Sequence, residues 1–83
     1  MDRQKSLAVL QEAVAEVLAI DAGAVVEEAT FREDLGADSL DLVEIVLALE
    51  DRLGVSLPQQ GLKDITTVGE ALSWVSDNYQ AAP

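Results

Sequence analysis

The stretch DLGADSLDLVE, residues 34–44, sets one serine, Ser39, between Asp38 and Asp41 at the start of an apolar, helix-like segment. A serine that attacks a substrate needs a base within hydrogen-bond reach. The chain has no histidine, and its lysines stand only at positions 5 and 63. Serine catalysis is therefore disfavoured. Two other roles stay open. Asp38 or Ser39 suits the N-cap of a helix, and a phosphate carried on Ser39 would be favoured by the free amides and dipole of a helix N-terminus. In the second case the serine is a substrate and not a catalyst.

Other chemistries are closed by composition. The absence of cysteine and histidine removes thiolate catalysis, disulfides and zinc or haem ligation. It also removes any group titrating near neutrality unless a carboxylate is strongly perturbed. The acids do not form an EF-hand. A loop begun at Asp34 has Ser39 where glycine belongs and Ile45 where the closing glutamate belongs. No metal site is expected.

The elements that position Ser39 must come from 83 residues, enough for one domain spanning 1–83. With 49% apolar residues but few aromatics, the core must be aliphatic, and abundant alanine and leucine favour helix. Sixteen acids against five bases give a formal charge of −11. That charge argues against nucleic acid and anionic membrane surfaces as partners, because both call for Lys and Arg. Composition alone leaves two readings of the charge open: basic protein partners with salt-sensitive encounter, or plain solubility. The opening MDRQKSLAVL has no long apolar run, and nothing approaches the length of a membrane span. A cytoplasmic monomer without membrane insertion is expected.

The apolar pattern predicts an all-α fold: a small bundle of three main helices plus one short helix, with a long first loop. Leu7, Leu10, Val14, Val17 and Leu18 share a face of a helix over about 4–20, with Gly23 marking its stop. A connection from about Ala24 to Ala37 carries Val25, Val26, Phe31 and Leu35, which are expected to pin it to the core. A helix over 39–53 follows, closed by Gly54 and barred from continuing by Pro58. A short helix over 59–64 comes next. Thr67-Val68-Gly69-Glu70 then reads as a capping box opening a helix over 67–79, with Val68, Leu72, Val75 and Tyr79 inward.

On a helical wheel, Leu42, Ile45, Val46, Leu49 and Leu53 form the core stripe of the 39–53 helix. Leu40, Val43 and Leu47 form a second stripe, roughly 130° from its centre, flanked by Glu44, Glu50 and Asp51. Either the bundle wraps around to bury both stripes, or the second is an exposed patch with a charged rim, the anatomy of a docking surface. Between Arg32 and Arg52 there are seven acids and no base. The coincidence of that acidic run with a surplus apolar stripe favours docking.

The segment DLGADSLDLVE resembles the attachment motif of acyl carrier proteins. The likeness extends in order through ATFREDLGADSLD, VEIVLALEDRLGVSLP and KDITTVGEAL. The resemblance implies that Ser39 receives 4′-phosphopantetheine covalently from coenzyme A, by a separate magnesium-dependent phosphopantetheinyl transferase. Asp38 matches the family acid that positions metal and coenzyme during transfer. Leu40, Val43, Glu44, Leu47, Glu50 and Asp51 match the partner-recognition helix. The arm's thiol would hold acyl groups as thioesters, which suits a chain with no thiol of its own.

The protein is then no enzyme but a carrier. It would present intermediates to acyltransferases, ketosynthases, reductases and dehydratases with basic docking patches, and shelter chains between its helices. Fatty-acid synthesis is the first expectation. A dedicated polyketide or other secondary-metabolite pathway is the alternative, and an unmodified acidic adaptor a more distant one. Two departures from the pattern stand out: Gln59-Gln60-Gly61-Leu62 where acids are usual, and Arg52 where an acid is common.

Overall fold

The computed structural model describes residues 3–58 and 61–78. Three α-helices carry the fold: α1 (Arg3–Leu18), α2 (Ser39–Leu53) and α3 (Val68–Asn78). The expected short helix over 59–64 is a single 3-10 turn, Leu62–Asp64, entered from Gly61 in the left-handed conformation. Gln59 and Gln60 lie outside the described residues, as does Tyr79. Among the described residues the bundle thus has three α-helices, and the short fourth element is seen as one turn.

The core is aliphatic as the composition demands. Leu10 and Val14 of α1, Leu42, Ile45, Val46 and Leu49 of α2, and Val68, Leu72 and Val75 of α3 are buried together. Each set follows the spacing of one helical face, so burial of that face stabilises each helix and its neighbours at once.

α1 stops two residues earlier than the 4–20 span, at Leu18, and Gly23 is not its stop. Ala19 takes the left-handed conformation at φ 57°, and the Ile20 amide bonds back to the Ala15 carbonyl at 3.1 Å. Gly23 instead lies inside a second 3-10 turn, Ala22–Ala24, whose start is capped by the Asp21 carboxylate accepting from the Gly23 amide at 3.0 Å. A left-handed alanine carries a steric cost that glycine does not. Ala19→Gly is therefore expected to raise stability by about 0.5–1 kcal/mol in urea unfolding, and a loss would show that Ala19 is not in that conformation.

The connection between α1 and α2 is held down by its apolar residues and by its backbone. Val25 and Phe31 are buried, with Leu35 half-buried, whereas Val26 points outward and does not pin the loop. The Phe31 amide donates to the Thr66 carbonyl, the Val68 amide to Ala29 and the Gly69 amide to Glu27, each at 3.0 Å. Thr30 and Thr67 form an isolated antiparallel bridge. The loop thereby takes up amides at the start of α3 that the helix itself leaves unpaired.

The capping box of α3 is present. The Glu70 amide donates to Thr67 Oγ1 at 3.1 Å and the Thr67 amide to the Glu70 carboxylate at 2.9 Å. These bonds, from Thr67 and then Thr66, hold the Glu70 carboxyl below the usual carboxylate range.

Candidate functional site

Two residues could cap α2, and the structure assigns the task to Asp38. Its carboxylate accepts from the Asp41 amide at 2.9 Å, while the Asp41 carboxylate accepts from the Asp38 amide at 3.0 Å. Ser39 is left as the first helical residue, exposed, with its hydroxyl not engaged in capping. The side chain that reaches it is Arg32, whose Nη2 donates to Ser39 Oγ at 3.0 Å. A guanidinium is a permanent cation with no acceptor, so it cannot serve as a general base. The geometry therefore adds a second reason, beside the missing histidine, against a serine hydrolase.

Arg32 reaches Ser39 because the loop turns back on itself. The Asp34 and Leu35 amides both donate to the Thr30 carbonyl at 3.1 Å, and the Asp34 carboxylate accepts from the Thr30 amide at 2.8 Å. The Ala37 amide closes the turn on the Phe31 carbonyl at 2.7 Å. Gly36 sits in the bend at φ 71°, where a side chain would be strained. With Phe31 buried beneath, Arg32 is carried over the start of α2.

The second stripe of α2 is not wrapped by the bundle. Leu40 is 74% exposed and Leu47 52%, with Val43 half-buried between them. Glu44 and Asp51 are exposed on its flanks. Glu50 differs from its neighbours. Half-buried, it accepts from the Leu57 amide at 2.7 Å, tying the strand-like exit of the chain back onto the helix. Gly54, left-handed at φ 66°, makes that return possible. Glu50 thus stabilises the α2 terminus whatever it does at the surface. Arg52, the departure from the family pattern, pairs with Glu16 and lies 3.9 Å from Glu12, both on α1. Its charge is spent on joining the helices.

Two openings lie between α2 and the segment leading into α3. A narrow apolar cavity of about 20 Å³ is lined by Leu10, Phe31, Leu42, Ile45, Leu49 and Trp74, among others. A more open pocket of about 140 Å³ lies beside Thr30–Glu33, Leu42, Ile65 and Thr66. Phe31, Leu42 and Ile65 line both. Trp74, half-buried on α3, carried no distinct signal in the sequence pattern.

A phosphate-linked group fits the start of α2. Ser39 is exposed, its oxygen is not required by the helix cap, and it sits at the positive end of the helix dipole beside a guanidinium. Among the described residues, no cluster of carboxylates could hold a metal ion. No described helix is long and apolar enough to cross a membrane.

Comparison with known proteins points the same way. A family model described as the phosphopantetheine attachment site matches residues 8–75. The chain is 46% identical over 81 residues to an acyl carrier protein of Rubrobacter xylanophilus, covering 98% of this chain and all of that one. It is 45% identical to an acyl carrier protein of Helicobacter pylori over 72 residues, covering 87% of this chain and 92% of that protein. Among solved structures, the acyl carrier protein from Enterococcus faecalis superimposes with a TM-score of 0.70 at 30% identity, over 95% of this chain and all of that one. A Mycobacterium tuberculosis chain assigned as an acyl carrier protein reaches 0.76 at 25% identity, over 87% and 96%.

Proposed function

The chain belongs to the acyl carrier protein family, and on that premise we propose that Ser39 carries a 4′-phosphopantetheine arm and that the protein shuttles acyl groups in fatty-acid synthesis. The observation that carries this reading is the division of labour at α2: Asp38 caps the helix, which leaves the Ser39 hydroxyl exposed and available. In loading, Ser39 Oγ forms a bond to the phosphorus of coenzyme A that bears the pantetheine. The pyrophosphate bond breaks, adenosine 3′,5′-bisphosphate leaves, and the hydroxyl proton passes to a base supplied by the transferase. Asp38 precedes Ser39 in the sequence, and by its match to the family acid it would help hold the transferase's magnesium and coenzyme.

Once attached, the arm supplies a thiol that holds acyl groups as thioesters. The family is a carrier and not a catalyst, so the chemistry on those thioesters belongs to cytoplasmic partners. The apolar cavity has room for little more than one water-sized body. Sheltering an acyl chain therefore requires α2 and the Ile65–Trp74 region to move apart. Incubation of the protein with coenzyme A, magnesium and a broad-specificity transferase tests the reading. A gain of one phosphopantetheine by intact mass is expected, whereas an unchanged mass beside a converted control carrier would favour the unmodified adaptor.

Docking falls to the exposed stripe and its rim: Leu40, Val43 and Leu47, with Glu44, Glu50 and Asp51 facing basic patches on the transferase, acyltransferases, ketosynthases, reductases and dehydratases. Because Leu47 is more than half exposed, Leu47→Glu should leave stability within about 0.5 kcal/mol. Its burial against a partner contributes about 1.5 kcal/mol or more, so binding to a ketosynthase should weaken about tenfold. Raising ionic strength from about 50 to 500 mM should weaken the wild type as well. Affinity indifferent to both changes would count against docking through this face.

A further inference from the structure

The three arginines of the chain are used differently. Arg3 pairs with Glu27 at 2.6 Å and Arg52 pairs with Glu16. Arg32 is followed in sequence by the acids Glu33, Asp34, Asp38 and Asp41, yet its hydrogen bond goes to the neutral hydroxyl of Ser39. Three of those carboxylates have other work. Asp34 accepts from Thr30, while Asp38 and Asp41 cap each other's amides. Nothing about the apo fold requires a cation over a free serine hydroxyl, since both side chains are exposed.

We propose that Arg32 is a positioning residue for the attached arm, holding the phosphodiester on Ser39 by a charge-assisted hydrogen bond. The inference rests on the attachment reading above. Esterification puts phosphorus one covalent bond from an oxygen already 3.0 Å from Arg32 Nη2. The ester oxygen is a poor acceptor, so the guanidinium passes to a non-bridging oxygen, which carries the charge. The gain is specific to this place. A phosphodiester adds an anion beside the Asp38 and Asp41 carboxylates in a chain of net charge −11. Repulsion by those two acids would drive the arm outward, and Arg32 offsets it. The arm therefore leaves α2 from a fixed root on the side of the 140 Å³ pocket, which Arg32 itself lines.

The test compares wild type, Arg32→Gln and Arg32→Lys, each as the apo protein and after loading from coenzyme A. Three readouts are taken: intact mass, phosphorus NMR of the loaded forms, and melting in low and high salt. All three apo proteins should melt within about 2 °C of one another, as for an exposed contact. After loading in low salt, Arg32→Gln should melt about 2–5 °C below loaded wild type. Arg32→Lys should recover most of that difference, and about 1 M salt should erase it. The phosphorus resonance should move in Arg32→Gln and return towards wild type in Arg32→Lys. Identical resonances and identical melting shifts in three fully loaded proteins would overturn the role of Arg32 and leave attachment intact. Failure of the wild type itself to gain mass would overturn attachment and this inference with it.

Discussion

Ser39→Ala is expected to gain no mass under conditions that convert the wild type completely, while remaining folded. Both halves follow from the α2 terminus. The substitution removes the oxygen that would bond to phosphorus, and the remaining hydroxyls are not equivalent. Ser6 is buried, and Thr67 Oγ1 is engaged in capping α3. Ser56, Ser73 and Ser76 are exposed but do not stand at a helix N-terminus. The fold should be nearly unaffected, because Asp38 supplies the cap and alanine is a good residue for a first helical position. A stability change within about 1 kcal/mol is expected, covering the lost Arg32 contact and the gain in helix propensity. Ser56→Ala serves as the control and should load like wild type. Loading of Ser39→Ala would place the arm elsewhere, and its unfolding would mean that Ser39 and not Asp38 caps α2.

How much of this was legible in the sequence varies by element. The span of α2 was readable, because its two candidate caps, its two apolar stripes and Gly54 agree on nearly the same limits. The end of α1 was not, since the chain stops the helix with a left-handed alanine and places its glycine four residues later, inside a 3-10 turn. Propensity patterns mark the commonest solution for a helix end, and here the fold uses a rarer one. The segment before α3 read as one short turn of helix, and its described residues hold one 3-10 turn, Leu62–Asp64.

At the site, local spacing singled out Ser39, its flanking acids and the surplus stripe, which lie on α2 or at its N-cap. Arg32 was invisible as a neighbour of Ser39, because seven residues of bent loop separate them and only the Thr30–Ala37 turns bring them together. Glu50 was legible as an acid beside the stripe, but not as the acceptor for Leu57, a contact made only when the chain reverses at Gly54. Contacts across a reversal depend on the path of the backbone, which residue periodicity does not encode. A cap shared between two adjacent candidates is similarly undecided until the φ and ψ of the helix start are known.

The turn that carries Arg32 depends most heavily on Phe31, and Phe31→Ala is expected to be the most destabilising single substitution in the connection between α1 and α2. The ring is 2% exposed, the largest fully buried side chain among the described residues, and lines the cavity with Leu10, Leu42, Ile45 and Trp74. Truncation of a buried phenylalanine costs about 3–5 kcal/mol. A domain of this size has about 5 kcal/mol in total, so the variant should be largely unfolded in mild urea and should melt tens of degrees below wild type. Phe31→Leu, which keeps most of the apolar volume, should lose about half as much or less. Backbone bonds alone cannot compensate. The Phe31 amide and carbonyl are bonded to Thr66 and Ala37, and those bonds hold only while the ring keeps the loop against α2 and α3. A loss below about 1 kcal/mol in urea unfolding would show that the loop is held without the ring. The loop that carries Arg32 would then owe its position to the Thr30–Thr67 bridge.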